Sequence, residues 1–177
     1  QSTITGDLTI GNNANLGLQS FRDCNIFNLV IGDNAVIGGT VANTIGGAFY
    51  NANITGSVSI GINSDIQAYA FYDSNSASTL TNLTIGSGST LGQQSLSYHP
   101  YLSFSLGNNL TFGSQVFRFA TLTGDFTIDP TWTLVQDSLD LMNIIGDFIV
   151  PNNEVLPISV FSDGSIDGDL VLGTGVT

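Results

Sequence analysis

The chain carries one histidine, His99, and one cysteine, Cys24, so catalysis by a nucleophile with an imidazole base has a single place to occur. His99 stands in Tyr98-His99-Pro100-Tyr101, whose rings and imidazole suit contact with a sugar or a protein better than proton transfer. The plainer expectation is a bend that shows Tyr98 and His99 at the surface and sends Tyr101 into the core. Cys24 reads as a small buried hydrophobe, and alone it closes no internal disulfide. Of the fourteen acids thirteen are Asp, and most lie in turn-like sequence, where Asp bonds nearby backbone. Glycoside hydrolysis needs two carboxylates placed across a cleft, and nothing in the pattern selects two. Three aspartates do recur at one place, Asp125, Asp147 and Asp169, each 22 residues after the last. Stacked on one face they would offer Ca²⁺ several carboxylate oxygens, with Asp129 and Asp167 close by in sequence. The alternative is that each Asp caps its own Gly-Asp turn through backbone N–H groups and holds no metal, as the solitary Gly6-Asp7 pair suggests. No cofactor beyond that structural calcium is implied.

A repeat must place these residues. Apolar pairs open at Leu8, Leu29, Val58, Leu83, Phe104, Phe126, Phe148 and Leu170, in steps of 21, 29, 25, 21, 22, 22 and 22 residues. They close two residues later, at Ile10, Ile31, Ile60, Ile85, Leu106, Ile128, Val150 and Leu172. Eight residues after each opening stands Leu16, Ile37, Ile66, Leu91, Phe112, Leu134 or Leu156, and thirteen after it Phe21, Phe71, Leu96, Phe117, Leu139 or Phe161. The second coil reaches its equivalent, Phe49, seven residues late. A period near 22 marks the coil of a solenoid. The internal spacings fit neither a helical stripe nor one long strand, so each coil bends several times. The pair predicts one short parallel strand per coil, its anchors inward and the residue between them outward. Thr9, Ser59, Thr84, Ser105 and Thr127 are those outward residues and form a candidate ligand-binding row. Gly11, Gly32, Gly61, Gly86, Gly107 and Gly173 follow the pair, where a sharp departure from the strand favours a residue without Cβ. The segment ending in the aromatic is short enough for one turn of α or 3₁₀ helix, and Gly in Thr5-Gly6-Asp7, Thr55-Gly56-Ser57, Thr123-Gly124-Asp125, Ile145-Gly146-Asp147 and Asp167-Gly168-Asp169 would supply positive φ. Residues 1–177 thus form a single solenoid of about seven coils, mostly β, in which neighbours bury one another's apolar residues.

The stretch Leu8 to Cys24, [Leu]-x-[Ile]-Gly-x₄-[Leu/Ile]-x₃-[Ser/Ala]-Phe-x-x-Cys, resembles the BspA-like (Treponema pallidum type) leucine-rich repeats, whose units carry an Ala-Phe-x-x-Cys segment. Ala48-Phe49 and Ala70-Phe71 match that segment best. The resemblance implies a leucine-rich-repeat-like, right-handed stack of coils and a life in extracellular recognition or attachment, on cell surfaces or in viral proteins, with no ligand fixed. The chain departs from the family in that only the first coil has the Cys, the third holds a Ser-Ala-Ser insertion, and the last three open on Phe or are punctuated by Gly-Asp. Another kind of parallel β-solenoid is the alternative.

Composition agrees with a non-enzymatic module. The net charge is −12, there is no Lys, and Arg22 and Arg118 are the basic residues, which argues against a nucleic-acid partner and against adhesion to anionic lipid. No apolar run approaches the roughly 18 residues of a transmembrane segment, and no leader is visible. Neither end reads as a polar cap, so a segment of a longer protein or of an assembly is expected. Three functions are compatible: recognition of a protein or glycan on a cell surface, a structural subunit of a fibre, filament or virion appendage contacting neighbouring subunits, and a carbohydrate-active β-helix enzyme. The first is the expectation, with an extracellular, cell-surface or virion-surface location.

Overall fold

The computed structural model describes residues 3–4, 6–38, 46–72 and 80–177. Thr5, the stretch that delays Phe49 in coil two and the Ser-Ala-Ser insertion of coil three lie outside them. The chain is a parallel β-solenoid whose coils repeat about every 22 residues. The apolar pairs stack in register: Leu8 on Leu29, Leu29 on Val58, Val58 on Leu83 and Leu83 on Phe104. That first sheet holds Leu8–Ile10, Leu29–Ile31, Ser57–Ile60, Asn82–Ile85 and Phe104–Leu106, and a separate one continues it with Phe126–Thr127, Phe148–Val150 and Leu170–Leu172.

One strand per coil was too few. A second side is a ladder of Asn15–Leu16, Val36–Ile37, Asp65–Ile66, Thr90–Leu91 and Thr111–Phe112. A third side carries Thr3–Ile4, Asn25–Ile26 and Asn53–Ile54, and further on Pro100–Tyr101, Thr121–Thr123, Asn143–Ile145 and Ser165–Ile166. Once one face fixes the rise between coils, every other straight piece is held at ladder distance from its equivalent and pairs too. Most of these pieces are only two residues long, too short for alternation to show in sequence.

The fourth side is a turn, and among the described residues it contains no helix. Its backbone alternates between local and cross-coil bonds: Arg22 N–H donates to Gln19 C=O three residues back, while Phe21 N–H donates to Ala48 C=O and Asp23 N–H to Tyr50 C=O of the next coil. Two left-handed residues four apart, such as Gln19 and Asp23, Gln94 and Tyr98, or Gln115 and Phe119, break any helical run.

The glycine after each pair also has a different cause from a sharp departure. A Cβ at Gly86 would lie 2.5 Å from Ile62 N, in the preceding coil, whereas one at Gly11, in the first coil, would meet nothing within 4 Å. Crowding between stacked coils selects the glycine. The residue that does need positive φ stands five after the pair opening, as Asn13, Asn34, Asn63, Gly88, Asn109, Asn153 and Gly175, and Asn tolerates that conformation best among side chains. Of the glycines before the strand, Gly124 and Gly146 have positive φ as expected, whereas Gly6, Gly56 and Gly168 do not; at Gly56 and Gly168 a Cβ would meet the preceding coil at 2.2 and 2.3 Å.

The core is the inside of these columns. Leu29, Ile37, Ile66, Leu83, Leu91, Phe112 and Leu122 are fully buried. Phe21, Phe49 and Phe71 stack nearly parallel, with ring centres 5.1 and 4.8 Å apart. Phe71→Ala should therefore cost about 3–5 kcal/mol as a large cavity in a stacked column. Thr84→Ala, at an outward position, should change stability by less than about 0.5 kcal/mol. Denaturant titration of the two variants checks the inward and outward assignment, which equal losses would overturn.

Candidate functional site

The row of outward residues exists in part. Thr9, Val30, Ser59, Thr84 and Ser105 lie side by side in register on the first sheet, so Val30 interrupts the hydroxyls. Thr127 lies on the continuing sheet beside Ile149, which in turn lies beside Val171. Four hydroxyls and an exposed valine make a mixed face, with nothing that converges on a ligand.

Tyr98 and His99 part company. His99 is buried, with its Nε2 2.6 Å from the Phe71 carbonyl oxygen, and so is no surface contact residue. The bend turns its imidazole inward beside Tyr101, whose hydroxyl donates to Leu96 C=O at 3.0 Å. Tyr98 faces the other way and belongs to a larger arrangement.

Along the corner formed by the turns, Arg22, Tyr50, Tyr72, Tyr98 and Phe119 follow one another through five coils. The Arg22 guanidinium lies 5.4 Å from the Tyr50 ring centre, Tyr50 stacks on Tyr72 at 5.9 Å, Tyr72 meets Tyr98 edge-on at 5.1 Å, and Tyr98 meets Phe119 at 4.9 Å. Tyr69 packs edge-on to Tyr72 from the side, and the Arg118 guanidinium covers Phe119 at 4.9 Å. Four of the five tyrosines and both arginines of the chain therefore share one half-exposed edge. The stack repeats at the coil rise, which is near the distance at which rings attract one another. Arg22 shares its charge with Asp23 at 3.1 Å. Arg118 pairs with no carboxylate among the described residues, and its Nε is buried without an acceptor. Below the edge runs a polar ladder in which Gln94 Nε2 donates to Gln115, Gln115 Nε2 donates to Asp140, and Ser162 Oγ donates to Asp140.

Burial first, and then the neighbouring Tyr98 hydroxyl, push the Tyr72 phenol up from 10.0 to about 12. Tyr101, fully buried, lies well above its ordinary value for the first of those reasons.

The aspartate column is a ladder between coils. Asp125 Oδ1 accepts the Asp147 N–H at 3.0 Å and Asp147 Oδ1 accepts the Asp169 N–H at 2.9 Å. Asn28 does the same for Ser57 at 2.9 Å, and its own Nδ2 donates to Asp7 at 2.8 Å. The cap thus serves the next coil's turn where it was expected to serve its own. Among the described residues no group of three or more His, Cys, Asp or Glu side chains is arranged to hold a metal ion. No helix among them is long and apolar enough to cross a membrane.

No family model, curated protein or solved structure matches this chain. The motif read in Leu8 to Cys24 stands alone as the link to the BspA-like repeats.

Sequence reasoning found Tyr98 and missed Tyr50, Tyr69, Tyr72, Phe119 and both arginines as one edge. The signal was present: the residue directly after the aromatic column is Arg22, Tyr50, Tyr72 and Arg118 in four of the first five coils.

Two outcomes follow. An unfolded phenol loses its proton near 10, whereas folded Tyr72 keeps it until about 12. Stability contributed by Tyr72 is thus complete below the lower value and falls as pH rises through the higher one. Thermal melts across that window should show a loss that Tyr72→Phe reduces; equal pH dependence in both proteins would remove Tyr72 as its source. In the aspartate ladder, Asp147→Asn keeps the Oδ1 acceptor and should melt within about 0.5 kcal/mol of wild type. Millimolar Ca²⁺ against chelator should shift neither protein, and a calcium-dependent shift in wild type that the variant lacks would restore the metal site.

Proposed function

We propose that this chain is a non-enzymatic recognition and attachment module that meets a protein or glycan at a cell or virion surface through its aromatic and arginine edge. The observation that carries the reading is the gathering of Tyr50, Tyr69, Tyr72, Tyr98, Phe119, Arg22 and Arg118 on one corner of an acidic solenoid. Tyr and Arg are the residues that concentrate binding energy at interfaces, because they bring large rigid area and several donors at small entropic cost. The unpaired Arg118 supports the same reading, since a buried donor without an acceptor is costly unless a partner supplies one. Burial of His99 speaks for binding over imidazole-based catalysis. The setting outside the cell is the one that the BspA-like motif implies.

A second reading, a structural subunit whose coils stack on neighbours, is favoured by the last strand, where Leu170, Val171 and Leu172 are 55, 43 and 56% exposed. An exposed apolar strand edge is a template for pairing with another chain. Sedimentation over a concentration series separates the readings, because stacking through this strand gives oligomers that Leu172→Lys disperses.

Arrays of glycans and of extracellular protein domains test the first reading. The chain should be retained on a defined ligand, with affinity lowered about tenfold or more in Arg118→Gln and in Tyr50→Ser and with melting little changed. Retention on neither array, or equal retention of both variants, would sink the proposal.

A further inference from the structure

The regular stack fails at one place on the first sheet. Among the described residues no backbone hydrogen bond joins Phe104–Leu106 to Phe126–Thr127, although ladders are complete on either side. Leu83 N–H donates to Ser103 C=O and Gly107 N–H to Ile85 C=O. In a parallel ladder, groups that bond one neighbour alternate along the strand with those that bond the other, so the N–H and C=O of Phe104 and Leu106 point at coil six. Earlier coils satisfy the equivalent groups, with Leu8 N–H on Asn28 C=O and Ile10 C=O receiving Gly32 N–H, each at 2.9 Å. Here they meet no partner among the described residues.

Coil six is the cause. Asp129 takes the place of the crowded glycine, Pro130 follows, and Thr131 replaces the left-handed Asn or Gly. The turn is rebuilt around Asp129, whose Oδ1 accepts the Thr131 N–H at 2.8 Å and its hydroxyl at 2.6 Å. Trp132 then folds inward against Phe112 and Phe126, and its Nε1–H donates to Gly107 C=O at 2.8 Å. What remains outside is a cleft of about 380 Å³. Phe104, Leu106 and Trp132 line its apolar side, and Asp125, Thr127 and Asp129 its polar side.

We propose that this cleft binds one sugar ring of a neutral glycan. Its volume falls within the roughly 300–1,000 Å³ of small-molecule sites. The unpaired backbone donors and acceptors alternate along its walls, and hydroxyl groups, which both donate and accept, answer such a pattern where a purely apolar or purely anionic ligand does not. The two carboxylates accept from hydroxyls and repel anions, and no Arg lines the cleft. The C–H face of a pyranose then lies on Phe104 and Trp132, as apolar surface on an aromatic ring. Departures from a fold's own local rules are found at functional or strained sites. This inference stands on a different surface from the aromatic edge and does not depend on it.

Trp132 is the chain's only tryptophan, so its emission reports on the cleft directly. The whole chain is titrated with the methyl glycosides of glucose, galactose, mannose and N-acetylglucosamine, with glycerol as the control. The expected result is a saturable change with at least one glycoside, weakened about tenfold in Thr127→Val and in Asp129→Asn by loss of a hydrogen bond, and kept in Tyr50→Ser. Thr127 is exposed and its hydroxyl has no partner among the described residues, so Thr127→Val keeps the test valid even if Asp129→Asn fails to fold. A response to every glycoside as linear as that to glycerol would show that the cleft holds water only, an affinity unchanged in Thr127→Val would place the binding elsewhere, and either result would overturn the proposal.

Discussion

The backbone hydrogen bond from one coil to the next governs this molecule. The glycine after the pair donates to the closing residue of the preceding pair in coil after coil, from Gly32 on Ile10 to Gly107 on Ile85, at 2.8 to 2.9 Å. That bond fixes a rise of about 4.8 Å, and the rise decides which side chains meet. Each residue lies over its own equivalent, so the core is a set of columns of like on like: phenylalanine on phenylalanine, isoleucine on isoleucine. The same rule applies to polar groups. Asn28 reaches Asp7 and Ser57, and Gln94 reaches Gln115, because a short amide spans one rise and no more.

The columns were legible in the sequence because a buried position tolerates few residue types, and a period of 22 repeats that restriction. Leu29, Val58 and Leu83 announce their strand by alternation, and the inward direction of Phe71 followed from its phase. The ladders at Asn15–Leu16 and Asn25–Ile26 did not announce themselves, since two residues carry no period. Left-handed Tyr69, Tyr98, Phe119 and Leu141 were equally hidden, because bulky residues rarely take that conformation and do so here under the constraint of the stack. The edge was half legible. Arg22, Tyr50, Tyr72 and Arg118 occupy one column, but Ser97 interrupts it, and only the geometry shows that Tyr98 and Phe119 from the next position continue the edge.

Surface chemistry in such a stack has few places to go. Outward residues on the flat faces stand one rise apart in rows, too regular to surround anything, as the row from Thr9 to Ser105 shows. Corners splay side chains away from the axis, and there Tyr72 can gather Tyr50, Tyr69 and Tyr98 around it. An irregular coil opens the remaining possibility, because a change such as glycine to Asp129 removes a contact that the repeat otherwise enforces.

The absent ladder between Phe104–Leu106 and Phe126–Thr127 also bears on how the chain holds together under load. In a coil stack each unit is stabilised by its neighbours alone, so cooperativity is transmitted link by link. At this link the coupling passes through the ladder of Thr121–Thr123 on Asn143–Ile145, the Thr111–Thr133 bridge, the turn bonds from Gln115, Val116 and Phe119 to Asp137, Ser138 and Leu141, and the Trp132 indole. Under load this link is therefore held by three sides where a complete one has four.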